Sequence, residues 1–397
     1  MGMRKSAPIT NRKNLLLLAF SLVVVMLGFG MVIPILPFYI ERFGAGGGAF
    51  GLLVAIAALT EFLFGPVWGS ISDRTGRKPI LMIGLFGYGL SMLLFGLSTE
   101  LWMLFASRAL SGVLSSAALS TAMAYIGDST SDKERGGGMG LLGAAAGAGT
   151  IIGPGIGGLL AKGSLSTPFF VAAGMSVLSL ILVAVWLPES LPREDRALAE
   201  RRLQFIHFQS LLCALKGPIG FLLFLAFFAT LGTSNFETIY SLYMADKLGY
   251  PPGRIGIILT VVGAIALIGR GLLTGAFTKR WGEETVIKAS LLAAAVGFIL
   301  LLLASTYPAV LLATGFFSFA VTFLRPSIHS LTSQRATVGQ GTALGLSNSF
   351  VSLGRIVGAL GAGVLFDMGM EYPYLIGAGV LLIGLAASLV RLKQVEG

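Results

Sequence analysis

The sequence predicts an all-α membrane protein, with about twelve transmembrane helices in two pseudo-symmetric six-helix bundles. Three observations predict it. The 397 residues are 55% hydrophobic and only 12% charged, with a mean hydropathy of +0.86. A soluble domain carries about 25% charged residues, twice that share. The charges are also sorted along the chain. Lys and Arg number eighteen in alternate gaps between apolar runs, and three (Arg42, Lys162, Lys247) in the other gaps. Finally, the chain repeats itself. Gly51 and Gly256, Pro37–Gly44 and Leu242–Gly249, and Gly149, Gly153 and Gly158 with Gly354, Gly358 and Gly363 all stand 205 residues apart.

These observations also exclude other classes. The net charge of +10 comes from residues that punctuate apolar runs, not from a basic soluble face, so no nucleic-acid partner is expected. The single Cys213 rules out a disulfide framework, and no cysteine–histidine spacing suggests a metal. No phosphate-cradling G-x-x-x-x-G-K-[ST] loop is present, so ATP is not the expected energy source. No cofactor and no enzyme activity are expected. The first apolar run is too long for a signal-peptide core and reads as a retained helix.

Taken in order, the apolar runs cover 15–40, 47–70, 79–98, 101–126, 136–161 and 167–187, then 218–245, 253–277, 286–305, 308–331, 341–365 and 373–391. They are continuously apolar, not alternating, which fits helices and not a barrel. The Lys and Arg bias puts both termini and the central loop in the cytoplasm of a multi-pass cell-membrane protein. Residues 188–217 form the longest polar stretch and read as a linker between an N-terminal bundle (1–187) and a C-terminal one (218–397). Within it, Leu203, Phe205, Ile206, Phe208, Leu211 and Leu212 suit an interfacial helix. The 55 glycines suit close helix packing. The chain is expected to be a monomer.

The gap between the second and third runs reads Gly69-Ser-Ile-Ser-Asp73-Arg74-Thr-Gly76-Arg77-Lys78. Gly69 and Gly76 are expected to give close approach and special backbone angles. Asp73 is placed to answer helix-end charge. Arg74, Arg77 and Lys78 hold the loop in the cytoplasm. This stretch resembles the loop 2–3 signature of the major facilitator superfamily, and a weaker copy stands at Gly275-Ala-Phe-Thr-Lys279-Arg280-Trp-Gly282. In the fifth run, Gly149-x-x-x-Gly153-Pro154-x-x-Gly157-Gly158 resembles the signature of the superfamily's antiporter branch. Read from the residues, it is a small-residue packing face with a helix-bending proline. The resemblance adds a conformational switch made of Gly69, Asp73, Arg74, Gly76, Arg77, Gly149, Gly153, Pro154, Gly157 and Gly158.

Charges inside the runs are the candidate working groups. Arg108 lies in a stretch resembling the family's span 4 motif. Glu61 and Glu237 are the two carboxylates well inside the apolar runs. Desolvation favours the neutral form of such an acid, and a nearby cation favours the charged form, so each is a candidate proton-coupling group. The stretch Ser234–Tyr250 is similar to span 7 of the quinolone and multidrug effluxers of Gram-positive bacteria, whose acid matches Glu237. Those effluxers carry a second acid in span 10, where this chain has Arg325. Arg270 and Arg355 add two more intramembrane cations, which widens the expected substrates to neutral, zwitterionic and anionic ones. Arg108, Asn235, Phe236, Tyr240, Tyr243, Phe316, Phe319, Phe323 and Arg325 are the expected substrate cavity.

The resemblance therefore implies proton-coupled export of amphipathic small molecules by alternating access, with protons and the lipid bilayer as partners. A specific sugar exporter or lipid-linked glycan flippase of the same fold is the alternative. A non-transporting receptor or scaffold is the rival from another class, and intramembrane Glu and Arg in both halves argue against it.

Overall fold

The computed structural model describes residues 12–130, 135–192, 194, 196, 211 and 213–392. It is built from helices: α1 (Arg12–Val32), α2 (Leu36–Glu41), α3 (Gly47–Thr75), α4 (Arg77–Gly96), α5 (Leu101–Ser129), α6 (Arg135–Leu160), α7 (Thr167–Trp186), α8 (Gly220–Leu248), α9 (Pro252–Ile268), α10 (Thr274–Leu303), α11 (Tyr307–Thr322), α12 (Leu324–Arg335), α13 (Gln340–Met368) and α14 (Tyr372–Arg391). A π-helical turn, Gly269–Leu273, joins α9 to α10. Among the described residues, twelve helical spans are long and apolar enough to cross a membrane, one for each run expected from the sequence. The outward side chains are apolar as well, with Leu303 and Leu312 each 74% exposed. Lipid is the solvent that makes such a surface favourable, and helices satisfy their own backbone groups there.

Four boundaries differ from the sequence reading, each for a local reason. The first run breaks at residues 33–35, where Pro34 supplies no N–H to continue α1. The tenth run is two helices, with a non-helical joint at the Thr322–Phe323 boundary just before Pro326. The third run starts directly after Gly76, whose φ of 108° only glycine tolerates. Gly282, at φ 76° and ψ 153°, does the same between the eighth and ninth spans, inside α10. The interfacial helix expected over 203–212 lies, Leu211 apart, outside the described residues.

The chain forms two compact units, Met1–Ile35 with Thr60–Ile206, and Leu36–Leu59 with His207–Gly397. Each has its own core and the same pairing of helices. In the first, α6 packs along α1, and α4 packs against α5 and α7. In the second, α13 packs along α8, and α10 packs against α11 and α14. Glycines set both long contacts. A Cβ on Gly149 would lie 2.7 Å from Val23 O, on Gly153 2.5 Å from Leu27 O, and on Gly157 2.3 Å from Met31 O. A Cβ on Gly354 would lie 2.6 Å from Phe227 O, and on Gly358 2.7 Å from Ser234 Cβ. The backbones touch, which is how small residues join helices in lipid. Pro154 sits inside an unbroken α6, beside this contact.

Candidate functional site

The basic loop of the first unit is a charge cluster tied to three other elements. Arg77 is buried and donates from Nε to Asp128 Oδ2 at 2.7 Å. Its Nη1 donates to Ser72 Oγ at 2.6 Å and pairs with Asp73. The chain then turns at Gly76, and α4 starts with free N–H groups. Glu189, just beyond α7, caps them: its Oε1 accepts from Arg77 N at 2.8 Å and its Oε2 from Lys78 N at 3.2 Å. A carboxylate at a helix N-terminus is well placed against the dipole. Arg196 pairs with Glu189 at 3.4 Å and donates to Leu191 O and Thr75 O. A Cβ on Gly76 would meet Glu189 Oε2 at 2.3 Å, so this glycine is required twice over. Gly69 is different. It lies within α3, and a Cβ there meets nothing within 4 Å among the described residues. The expected close approach at Gly69 is therefore corrected, because α3 runs on to Thr75. Arg74 buries two guanidinium nitrogens without a hydrogen-bond partner among the described residues.

The two loop copies carry opposite charge logic. Around Gly282 the anchors are acids. Glu283 Oε1 accepts from Ser330 Oγ at 3.0 Å and Gln334 Nε2 at 2.8 Å. Glu284 pairs with Arg335 and, at 3.7 Å, with Lys288.

The second unit holds a cavity walled by α8, the π-helical turn, α12 and α13. Its charged and titratable lining is Glu237, Arg270, Arg325, His329 and Arg355, with Thr230, Thr233 and Ser347 among the polar neighbours. Spacing on α8 explains Glu237. Ala226, Ala229, Thr230, Thr233 and Glu237 recur every three or four residues and share one face. Glu237 makes no hydrogen bond and no ion pair with any described residue. Arg325 is held weakly, by Asn348 Oδ1 at 3.4 Å and His329 Nε2 at 3.5 Å. It is attracted by Glu237 and repelled by Arg355 and Arg270.

Of the other expected cavity residues, none lines this cavity. Phe236, Tyr240 and Tyr243 are buried and are held by side chains of α11 and α14. Phe236 stacks on Phe317 at 4.5 Å between ring centres, and Tyr243 on Tyr374 at 4.5 Å. Tyr240 Oη bonds Thr314 Oγ1 at 3.0 Å. Asn235 is buried and donates to Leu231 O at 3.0 Å. Phe323 is buried against Phe277 and Phe319, while Phe316 and Phe319 are exposed. The expected aromatic wall is thus corrected for this cavity: the rings are taken up by core contacts with α11 and α14 or lie on the surface. Arg108 lies in the first unit, 7% exposed, with its guanidinium 5.8 Å from the Phe95 ring centre and Nε without a hydrogen bond. Glu61 is exposed on α3 and has no partner among the described residues.

Sequence reasoning missed three acids. Asp128 and Glu189 were readable as acids just past the ends of apolar runs, on the same side as the basic loop. Asp367 was readable only through its glycines: Gly47 N and Gly48 N each donate to it at 2.7 Å, and a Cβ on Gly46 or Gly48 would meet its carboxylate at 2.9 or 2.8 Å. That explains the run Gly46-Gly47-Gly48.

Arg77→Ala should leave substrate binding within a factor of about two and lower turnover by about tenfold, equivalent to about 1.4 kcal/mol in the conformational balance. Binding in detergent and counterflow in proteoliposomes measure the two separately. An equal loss of both would tie the loop to the binding site instead.

Comparison with known proteins places this geometry. The model of the Major Facilitator Superfamily matches residues 18–221 and again 222–396. Over 390 residues the chain is 33% identical to multidrug resistance protein 2 of Bacillus subtilis (strain 168), covering 98% of this chain and 97% of that protein. It is 32% identical over 380 residues to the quinolone resistance protein NorA of Staphylococcus aureus (strain MSSA476), covering 96% of each. Among solved structures, a bacterial homologue of the human lysosomal transporter Spinster superposes with a TM-score of 0.78 at 15% identity, covering 98% of each chain. The human organic anion transporter MFSD10 superposes with a TM-score of 0.70 at 22% identity, covering 96% of this chain and all of that one.

Proposed function

This chain belongs to the Major Facilitator Superfamily, and from that premise we propose that it exports amphipathic small molecules in exchange for protons, by alternating access. The observation that carries the reading is Glu237, an unpaired carboxylate on a cavity wall inside a membrane span. Such a group is costly in lipid and persists where ions or substrates pass. The full-length likeness to multidrug and quinolone resistance proteins supports the same reading. Glu61 is the second proton site. The protein is a plasma-membrane monomer with both termini in the cytoplasm. It is divided by its sequence repeat into bundles 1–187 and 218–397 around the linker 188–217. The loop cluster at Asp73 and Arg77 and the α1–α6 glycine contact govern the switch between states.

The test is counterflow in proteoliposomes under an imposed pH gradient, with a cationic dye, a fluoroquinolone, a sugar and a glycolipid. Gradient-driven movement of the dye or the quinolone supports export of amphipaths. Movement of the sugar or glycolipid alone replaces it with the specific exporter or flippase. No movement of any of them removes the transport reading.

A further inference from the structure

The cavity carries more positive charge than its one acid can answer. Arg270, Arg325 and Arg355 converge there from three elements, against Glu237 alone. None of the three arginines has an ion-pair partner among the described residues. Arg355 also buries its Nε without a hydrogen bond. A guanidinium left this way inside a membrane span is unfavourable until an acceptor reaches it. No ion pair among the described residues supplies one. Other acids of the unit are committed elsewhere: Glu283 and Glu284 to α12 and Lys288, and Glu371 to Lys247.

The backbone points the same way. Arg270 is presented by the π-helical turn Gly269–Leu273, a departure from α geometry that proteins use mainly at functional positions. Arg325 sits two residues after the joint between α11 and α12. The π-helical turn and the joint at Phe323 thus each deliver a guanidinium to one cavity. Arginine is also the side chain that matches a planar oxyanion, through paired N–H donors.

We propose that this cavity is an anion site: it holds the carboxylate, sulfonate or phosphate of an amphipathic substrate on Arg270, Arg325 and Arg355. The inference rests on the reading as a transporter and names the charge of the substrate; for an anionic substrate it turns exchange into binding of proton and substrate together. It carries a definite linkage. Glu237 faces the same arginines and competes electrostatically with the bound anion. A proton on Glu237 strengthens anion binding, and by reciprocity the anion favours that proton. Protonation of His329, the other titratable lining group, acts in the same direction.

The test uses three probes with one ring system: 2-naphthoate, 2-naphthamide and 2-naphthylmethylammonium. Binding is measured by equilibrium dialysis of the detergent-purified full chain between pH 6 and 8. The expected order is naphthoate tightest, by about tenfold over the ammonium, in line with a charge-assisted pair. Naphthoate should bind more tightly at pH 6 than at pH 8, and binding should be accompanied by proton uptake. Arg325→Gln and Arg355→Gln should each lower naphthoate affinity by about tenfold and leave naphthamide unchanged. Glu237→Gln should raise naphthoate affinity and flatten its pH dependence. Arg355→Lys guards against misfolding: it retains the charge and should keep part of the affinity. Preference for the ammonium, or naphthoate binding indifferent to both arginine substitutions, overturns the anion site. The transporter reading stands or falls separately, on gradient-driven movement of any probe in proteoliposomes.

Discussion

A Glu237→Gln chain reconstituted into proteoliposomes should bind substrate and yet show no transport driven by a pH gradient. The carboxylate lines a cavity within a membrane span and, among the described residues, has no ion-pair partner and is the one acid that shares this lining with three arginines. Substrate and proton are therefore coupled through this group: whatever charge enters the cavity changes how readily Glu237 holds a proton. Glutamine keeps the shape and the hydrogen-bonding capacity and removes the titration. The readout is the proton count on substrate addition in weakly buffered detergent, alongside gradient-driven flux. Both should fall to the level of protein-free controls, while counterflow without a gradient persists. Glu61→Gln should weaken gradient-driven flux by a smaller factor, since Glu61 is exposed on α3 and is not part of the arginine-lined cavity. Full proton exchange in the Glu237→Gln chain would transfer the coupling to Glu61.

Gly153→Val should be the most damaging single substitution in the first unit. Its Cβ would stand 2.5 Å from Leu27 O and 2.8 Å from Gly30 Cα, both of them backbone atoms of α1. Rotamer changes cannot relieve a clash with backbone, so α1 and α6 must separate along their whole contact. Overpacking of this kind costs about 1–3 kcal/mol, and more where neither side yields. The expected results are a lowered melting temperature in detergent and loss of transport. Gly143→Ala on the same helix is the control, because a Cβ there meets nothing within 4 Å among the described residues. Gly358→Ala should act similarly in the second unit, where it presses on Ser234 Cβ and Leu231 O. A Gly153→Val chain with normal melting and transport would show that the α1–α6 contact is not close-packed in the working protein.

These two cases mark how far the sequence could be read. The spans were legible because lipid imposes one long apolar helix after another, and a run of twenty such residues has no other use. The glycine contacts were legible because a small residue every fourth position has one main purpose in a membrane. Glu237 was legible because an acid in such a run is rare. The aromatic wall was not. Phe236, Tyr240 and Tyr243 stand close to Glu237 in sequence, but Phe317, Thr314 and Tyr374 of other helices claim them for the core, and such partners cannot be read from spacing along one helix. The capping roles of Glu189, whose position alone was readable, and of Asp367 were illegible for a different reason. Each acts on backbone N–H groups more than a hundred residues away, and backbone groups leave no mark in a sequence. Their only trace is the glycine that makes room: Gly76 for one and Gly46–Gly48 for the other.

The π-helical turn has a history written in the numbering. Before it, matching glycines of the two repeats stand 205 residues apart, as Gly51 and Gly256 do. After it the spacing is 206: Gly69 with Gly275, and Gly76 with Gly282, a pair in which each glycine has positive φ. The turn Gly269–Leu273 lies between. A π turn takes up one residue more than an α turn, so it is the place where the second copy absorbed a single-residue insertion without losing its helix. Each residue in an α-helix advances about 100° around the axis. The extra residue therefore rotated the first part of span 8 relative to the rest, which stayed locked to its loop at Gly282. By Gly354 the spacing is 205 again, so one residue fewer between Gly282 and Gly354 restores the register. Arg270 thus stands on the turn at which the register of span 8 departs from that of its counterpart in the first half.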